Sequence, residues 1–194
     1  MRPEEVINEF KKTDALLEGH FQLTSGLHST VYLQCARVLQ YPKNAEQFGR
    51  AIAEQFAGQG VELVASPAIG GIVIGHEGAR ALGARFIWTE RENGQMTLRR
   101  GFTVSNEEKT LVVEDVITTG GSTKETIECL QAAGANVIGA ASIIDRSGGA
   151  VDVGVARVAL ASLKVVSVEP SQCHACSLGE QVVKPGSRKT NRES

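Results

Sequence analysis

The sequence has no long run of apolar residues and no marked excess of charge of either sign. No stretch of its 194 residues approaches the length of a membrane span, and the N-terminus, Met1-Arg-Pro-Glu-Glu5, lacks the apolar core of a signal peptide. Acidic residues number 22 and basic residues 20, for a net charge of -2, which argues against binding nucleic acid through general basicity. We therefore expect a cytoplasmic protein that binds neither membranes nor nucleic acid.

Cysteine is also scarce. The chain has four, Cys35, Cys129, Cys173 and Cys176, and in a cytosolic chain of this size they do not indicate a disulfide framework. Cys173 and Cys176 form a CxxC motif, but no second CxxC is present to complete a four-ligand zinc site. Nor does a thioredoxin-like setting surround it. We expect the motif to serve packing; a metal site, which another subunit could complete, and a redox pair are the alternatives.

The chain does contain alternating strand-like and helix-like segments. Apolar runs predict strands at 63–66, 85–89, 102–105, 110–114, 136–145 and 158–163. Helical periodicity predicts helices at 3–18 and 44–56, from the turn at 67–71 to about residue 82, and at 125–133. This alternation indicates right-handed crossovers and a mostly parallel sheet flanked by helices. In such sheets ligands bind beyond the C-terminal ends of the strands.

The most informative segment is Leu111-Val-Val-Glu-Asp-Val-Ile-Thr-Thr-Gly-Gly-Ser-Thr123. An apolar strand ends in two carboxylates, Glu114 and Asp115, and a hydroxyl- and glycine-rich turn then leads into a helix. Free N–H groups at a helix N-terminus form an anion site that glycines let a phosphate approach closely. Two carboxylates beside a phosphate would repel it unless they contact sugar hydroxyls or Mg²⁺. The segment therefore predicts a ligand with a phosphate at one end and a diol near the acids, as in ribose 5-phosphate.

This segment resembles the phosphoribosyl-pyrophosphate (PRPP) motif of the type I phosphoribosyltransferases. The run Phe21-Gln-Leu-Thr-Ser-Gly-Leu-His-Ser-Thr-Val-Tyr-Leu33 is similar to the N-terminal segment of the orotate phosphoribosyltransferases, with its Leu-x-Ser-Gly-x-x-Ser pattern, and Ile144-Asp-Arg146 matches as well. The resemblance implies a type I phosphoribosyltransferase-like α/β fold. It divides the chain into an N-terminal helix and base-covering hood (1–40), an α/β core (41–170) and a C-terminal segment (171–194) with the CxxC and a polar tail from Lys184 to Ser194.

The resemblance also implies a reaction. Ribose 5-phosphate would pass from PRPP to orotate, giving orotidine 5′-monophosphate and pyrophosphate in the synthesis of the pyrimidine UMP. The ribose C1 develops oxocarbenium character as pyrophosphate departs, so positioning and preorganised charge would carry the catalysis. The resemblance further implies Mg²⁺, held mainly by PRPP, and a homodimer in which the 90–100 loop is shared between the subunits.

Site residues follow from the same resemblance. The catalytic candidates are Glu114, Asp115 and Arg91. Besides these three, the PRPP-binding candidates are Val116, Ile117, Thr118, Thr119, Gly120, Gly121 and Ser122. The pyrophosphate loop is Ala68, Ile69, Gly70 and Gly71. The orotate-binding candidates are Thr118, Arg146, Ser25 and Gly26, and Arg146 suits the role because a planar guanidinium matches a carboxylate and a ring carbonyl.

Two loops depart from the family pattern. Gly70 stands where better-known members have a lysine. The 90–100 segment, which corresponds to a mobile catalytic loop, keeps Arg91 but has no histidine, and it has Glu92 and Gln95 where lysines are expected. Arg99 and Arg100 could supply the missing charge. These departures leave one alternative open, a non-catalytic PRPP-sensing regulator on the same fold. A phosphoribosyltransferase for another base is a second alternative, although the hood and Arg146 argue against a purine. A solvated hairpin is the alternative for the loop itself.

Overall fold

The computed structural model describes residues 1–23 and 25–185, so Thr24 of the predicted hood and residues 186–194 of the predicted polar tail lie outside it. In chain order the helices are α1 (Pro3–Lys12), α2 (Cys35–Leu39), α3 (Pro42–Gln55), α4 (Gly70–Leu82), α5 (Gly121–Ala132) and α6 (His174–Ser177). The strands are β1 (Leu16–Gln22), β2 (His28–Leu33), β3 (Leu63–Pro67), β4 (Arg85–Glu92), β5 (Gln95–Leu98), β6 (Lys109–Ile117), β7 (Asn136–Asp145), β8 (Arg157–Ser162) and β9 (Ser167–Val168).

The strands form two sheets. A six-stranded sheet has the order β5-β4-β3-β6-β7-β8 and is parallel except for β5, which runs antiparallel to β4. A smaller antiparallel sheet of β1, β2 and β9 forms the hood. The mostly parallel α/β fold predicted from the sequence is therefore confirmed. In the described part of the chain, no helix combines the length and the apolar character that crossing a membrane requires.

The central strands are apolar throughout because helices cover both faces of the large sheet. Leu111, Val112 and Val113 of β6 are completely buried, and they alternate between two hydrophobic clusters on opposite faces. Phe48 and Ile52 of α3 lie in the cluster on one face, and Ile127 of α5 lies in the cluster on the other. Strands buried on both sides read as continuous hydrophobic runs, which is why β3, β6 and β7 were predictable.

The N-terminal boundaries differ from the prediction. The predicted helix at 3–18 is wrong beyond Lys12, because Asp14 adopts a positive φ of 51° and β1 begins at Leu16. Leu17, whose spacing from Val6, Ile7 and Phe10 suggested a longer helix, instead pairs with Tyr32 of β2 and belongs to a strand. The helix predicted from Asn44 begins two residues earlier, with Pro42 in its first turn, a position that proline favours.

The segment 90–105 also differs. Instead of a loop, 90–100 contains most of a β-hairpin, in which Thr89 pairs with Leu98 and Glu92 with Gln95. Its turn is Asn93-Gly94, and both residues have positive φ, as a type I′ turn requires. The strand predicted at 102–105 is wrong, because this segment forms no sheet ladder. Phe102 is held instead by its ring, whose centroid lies 4.8 Å from that of Trp88.

Candidate active site

Three strand ends meet at one edge of the large sheet. In the β6–β7 pair Val116 lies opposite Ile144 and Ile117 opposite Asp145. Directly beyond them the Arg146 amide donates a hydrogen bond to the Ile117 carbonyl oxygen at 2.8 Å. The turn after β3 packs against the end of β6. This is the edge at which open α/β sheets bind ligands.

Glu114 and Asp115, which we call the acid pair, lie at the centre of this edge. Glu114 is buried and Asp115 is partly exposed. Burial, reinforced by the neighbouring Asp115 charge, raises the pKa of Glu114 to about 9, and burial also raises the pKa of Asp115. The Cys35 thiol is buried nearby, and burial, reinforced by the Asp115 charge, raises its pKa well above its ordinary value. The pair therefore holds a proton at neutral pH in the absence of a ligand.

The predicted pyrophosphate loop, Ala68 to Gly71, lies directly against the acid pair. A Cβ built on Gly70 would stand 3.0 Å from both carboxylate oxygens of Asp115. A Cβ on Gly71 would stand 3.1 Å from Glu114 Oε1 and 3.0 Å from the Val113 carbonyl oxygen. Any side chain at these two positions would require the acid pair to shift. Gly70 thus replaces the family's lysine at a point where the backbone and the carboxylates are nearly in contact.

The turn from Thr118 to Ser122 leads from β6 into α5. Gly120 has a φ of 75°, and a Cβ there would lie only 2.3 Å from a methyl carbon of Val151, so the position requires glycine. In the described residues no side chain caps the N-terminus of α5, which leaves the N–H groups of its first turn available to an anion. The predicted phosphate site therefore has the local geometry that phosphate binding uses.

A cavity of about 430 Å³, which we call the base cavity, opens beside this turn. It is lined by Leu23, Ser25, Leu27, Tyr32, Thr118, Thr119, Arg146 and Ser167. Of the four predicted orotate-binding residues, Ser25, Thr118 and Arg146 line it. Gly26 lies in the adjacent turn, where its N–H donates to the Leu23 carbonyl oxygen at 2.9 Å. Hood and core thus enclose the cavity from opposite sides.

Arg146 is the only cationic residue that lines the base cavity in the described part of the chain. Its Nε is buried and has no hydrogen-bond partner among the described residues. Burial lowers the pKa of the guanidinium. A half-buried guanidinium whose Nε has no partner among the described residues is costly for the fold, so its presence indicates a site for an anion.

The loop after Arg146 is braced by Asp145. The buried Asp145 carboxylate accepts hydrogen bonds from the Ser147 hydroxyl at 2.6 Å, the Gly149 amide at 2.9 Å and the Arg157 guanidinium at 3.0 Å. Burial alone would raise the pKa of Asp145, but the hydrogen bonds from Ser147 and Arg157 hold it below its ordinary value. Asp145 therefore stays ionised and fixes the direction in which Arg146 leaves the strand.

The charges of the β4–β5 hairpin are engaged with one another or with α5. Arg91 forms an ion pair with Glu125 of α5 in the same chain, and in the described contacts it does not touch the acid pair. Arg100 pairs with Glu90 at 2.6 Å and lies over the Trp88 ring, while Arg99 reaches Glu90 at 3.5 Å. In this arrangement neither Arg99 nor Arg100 supplies a free charge to the site of its own chain.

Five residues near the site were not among the sequence candidates. Leu23, Leu27, Tyr32 and Ser167 line the base cavity, and the buried Cys35 lies close enough to Asp115 for its charge to raise the thiol pKa. Ser167 reaches the cavity because β9 pairs with β2. These strands are far apart in the sequence, so no local pattern indicates their contact.

A larger groove of about 600 Å³ lies between the C-terminal ends of α3 and α4, at the opposite edge of the sheet, and none of the predicted site residues lines it.

The fold and the site together are those of a phosphoribosyltransferase, and the phosphoribosyl transferase domain family matches residues 41–162. An orotate phosphoribosyltransferase of Pelotomaculum thermopropionicum is 53% identical over 189 residues, which cover 97% of this chain and 100% of that protein. One from Desulforamulus reducens is 50% identical over 97% of this chain and 98% of its own length. The crystal structure of orotate phosphoribosyltransferase from Aeropyrum pernix has a TM-score of 0.68 at 26% identity, covering 82% of this chain and 94% of that one. The chain belongs to the orotate phosphoribosyltransferase family.

Proposed function

We propose that this enzyme transfers ribose 5-phosphate from PRPP to orotate in pyrimidine synthesis, giving orotidine 5′-monophosphate and pyrophosphate. The observation that carries the proposal is the Arg146 guanidinium in the base cavity, whose buried Nε has no hydrogen-bond partner among the described residues and which lies next to a glycine-rich helix N-terminus and the acid pair. Orotate offers this guanidinium a carboxylate and a neighbouring carbonyl oxygen. Uracil lacks the carboxylate, and purines present a different edge.

Each group of site residues binds a different part of PRPP or orotate. The N–H groups and hydroxyls from Thr118 to Ser122 bind the 5-phosphate, and the acid pair accepts hydrogen bonds from the ribose diol. The backbone of Ala68 to Gly71, which lies against the acid pair, faces the pyrophosphate. The hood residues Ser25 and Tyr32 cover the base and exclude water, while Arg146 orients it for attack at C1. The roles of these residues are thus set by their positions around one ribose.

Mg²⁺ fits this arrangement. It is a hard cation that takes oxygen ligands, and the acid pair supplies carboxylate oxygens next to the pyrophosphate loop. Most of its remaining ligands would be oxygens of PRPP itself. When bound, Mg²⁺ would neutralise charge on the departing pyrophosphate.

The two alternatives raised by the sequence are less well supported. The regulator rested on the missing lysines, and both alternatives are opposed by relatives aligned over 97% of the chain that are named orotate phosphoribosyltransferases. A regulator would also have no need of an unpartnered arginine in the base cavity.

Substrate turnover tests the proposal directly. Purified protein is mixed with PRPP, Mg²⁺ and one of orotate, uracil, hypoxanthine or adenine, and absorbance reports the change in the base. We expect orotate to be consumed only when both PRPP and Mg²⁺ are present, and uracil to react at least about 10³-fold more slowly, because it leaves Arg146 unpaired. PRPP binding without turnover of any base would favour the regulator instead.

We further propose a cytoplasmic homodimer whose hairpins are shared between subunits. PRPP is a polyanion and orotate an anion, and neither crosses membranes unaided, which favours the cytoplasm. The hairpin lies at the edge of the large sheet, with its Asn93-Gly94 turn exposed. Ile69 and Val73 also expose apolar side chains beside the pyrophosphate loop, 85% and 44% accessible respectively. Together these features give a partner subunit a surface next to the site.

Mixing two inactive variants tests the shared site. If Arg91 acts on the partner's PRPP, Arg91→Ala and Asp115→Asn should each be inactive alone but should recover about a quarter of wild-type activity after equal mixing and subunit exchange. The reason is that half of the dimers are then mixed and each mixed dimer has one intact site. Light scattering establishes the dimer and its exchange. Dimers that exchange without regaining activity would place Arg91 in the site of its own chain.

A further inference from the structure

The CxxC motif meets two histidines of the hood. His20 of β1 and His28 of β2 bring their ring nitrogens to 2.8 Å from each other, Nε2 to Nδ1. Cys173 Sγ lies 3.4 Å from His20 Nε2, and Cys176 Sγ lies 3.2 Å from His28 Nδ1. The four atoms lie within 4.8 Å of one another. We call these four residues the Cys2His2 cluster, and we propose that it is a structural zinc site that fastens the C-terminal segment to the hood.

The donor set and its spacing fit Zn²⁺. Two thiolates and two imidazoles are a standard ligand set of structural zinc sites, and a CxxC supplies two of them from one turn. Zn–S bonds of about 2.3 Å and Zn–N bonds of about 2.0–2.1 Å in a tetrahedron separate the donor atoms by about 3.3–3.8 Å. The sulfur–nitrogen distances of 3.2 to 3.6 Å are close to this range. The two rings would need to move apart by about 0.5 Å to admit the ion.

Burial and hydrogen bonding at the two histidines favour metal binding. Both are buried, with 6% of each residue exposed. His20 Nδ1 lies 3.1 Å from the Glu180 carbonyl oxygen. A proton on Nδ1 bound there leaves Nε2 with its lone pair directed at the cluster, and a carbonyl partner of this kind is typical of histidines that bind metals.

The C-terminal segment has little else to hold it. None of residues 162–185 is buried, yet residues 170–172 form a 3-10 turn, His174–Ser177 form α6, and Val183 exchanges backbone hydrogen bonds with β1. A segment without a hydrophobic core of its own usually needs a covalent or metal cross-link to stay folded. The Cys2His2 cluster is the point at which such a link would join residues about 150 positions apart.

The cluster also lies close to the base cavity. His28 pairs with Val168 and Ser29 with Ser167, and β9 leads through the 3-10 turn to Cys173. Ser167 lines the base cavity. Zinc would therefore fix the strand that forms one wall of the cavity. On the proposed function, metal loss should raise the KM for orotate more than the KM for PRPP.

Metal content tests the site independently of activity. Protein purified under reducing conditions, given one equivalent of Zn²⁺ and desalted, should retain about one zinc per chain by mass spectrometry. Cys176→Ser and His20→Ala should lose most of it, whereas Cys129→Ser and the exposed His174→Ala, matched controls outside the cluster, should retain it. Wild-type protein that retains no zinc, or a Cys176→Ser variant that retains as much as wild type, would overturn the proposal.

A second measurement uses only the wild-type chain, in case a variant does not fold. Protein stripped with a chelator and refilled with Co²⁺ should show the strong visible absorption of tetrahedral thiolate coordination. It should also regain protection of residues 169–185 from limited proteolysis. A spectrum of octahedral Co²⁺, unchanged proteolysis, or a Cys173–Cys176 disulfide that forms in place of metal binding would refute the zinc site. Failure of orotate turnover would leave all of these readouts intact.

Discussion

Replacing Arg146 with glutamine is expected to lower kcat/KM for orotate by about 10²- to 10³-fold, because two charge-assisted hydrogen bonds to the base are lost. The PRPP dissociation constant should change little, because the proposed function assigns PRPP to the turn after β6 and to the loop after β3. Steady-state kinetics with each substrate varied, together with calorimetry for PRPP, separates the two effects.

The same substitution should not destabilise the protein. The Arg146 guanidinium is partly desolvated, its buried Nε has no partner in the described residues, and burial lowers its pKa. Removing an unpaired buried charge relieves an unfavourable term, so the Tm of Arg146→Gln should equal or exceed that of wild type. A variant that gains stability and loses activity is expected when the wild-type residue binds substrate but lowers the free energy of unfolding.

The control is Arg50→Gln, which changes charge by the same amount on the exposed face of α3, where Arg50 pairs with Glu46 at 2.7 Å. It should leave both kinetics and Tm nearly unchanged. Arg146→Lys keeps the charge but loses the planar fork, and we expect an intermediate loss. An Arg146→Gln variant that turns over orotate normally would remove Arg146 from the base site and undermine the proposed substrate.

The arrangement of the acid pair, the phosphate turn and Arg146 was predictable because it depends on local sequence and on one topological rule. Apolar runs buried on both faces fix β3, β6 and β7, and parallel strands bring their C-terminal ends to one edge. Glu114, Asp115 and Arg146 follow those ends directly, so their proximity required no knowledge of side-chain packing.

The hood was harder to predict because its contacts join distant parts of the chain. With only two residues, β9 is too short to show strand periodicity in the sequence, yet it places Ser167 in the base cavity. The Cys2His2 cluster has the same origin. Cys173 and Cys176 lack a second CxxC, and their partners His20 and His28 lie on separate strands far earlier in the chain.

The two boundary errors have different causes, one tertiary and one local. The apolar spacing of residues 3–18 fits a helix, but tertiary pairing of Leu16 with Leu33 makes the second half a strand. In the 90–100 segment a local signal decides the structure instead. Asn93-Gly94 strongly favours a hairpin, and this preference outweighs the polar composition on which a loop was predicted.

Asp115→Asn is expected to lower kcat by about 10²- to 10³-fold with the fold intact, because a charged acceptor for the ribose diol near the developing oxocarbenium ion is lost. The substitution keeps the shape of the side chain and its hydrogen bond from the Val116 amide, which is 2.7 Å long. Steady-state kinetics and circular dichroism check the two halves of this expectation. Asp152→Asn, an exposed position with the same change of charge, is the control. Unchanged kinetics in Asp115→Asn would exclude Asp115 from the site.

The protonation of the acid pair gives this prediction a second readout. In the free protein burial and the Asp115 charge raise the pKa of Glu114 to about 9, so Glu114 is protonated at neutral pH. Ribose hydroxyls and Mg²⁺ favour the ionised form, so bound PRPP should lower that pKa and release a proton. The affinity for PRPP with Mg²⁺ should then rise with pH up to about 9, by at most about tenfold per pH unit.

Calorimetry in two buffers with different ionisation enthalpies measures the released proton. In Asp115→Asn the repulsion between the two carboxylates is absent, so the pKa of Glu114 falls towards its ordinary value and less proton should be released near neutral pH. A residue with a purely structural role would weaken binding without altering proton release. Equal proton release in wild type and Asp115→Asn would therefore show that the acid pair does not titrate as a unit when PRPP binds.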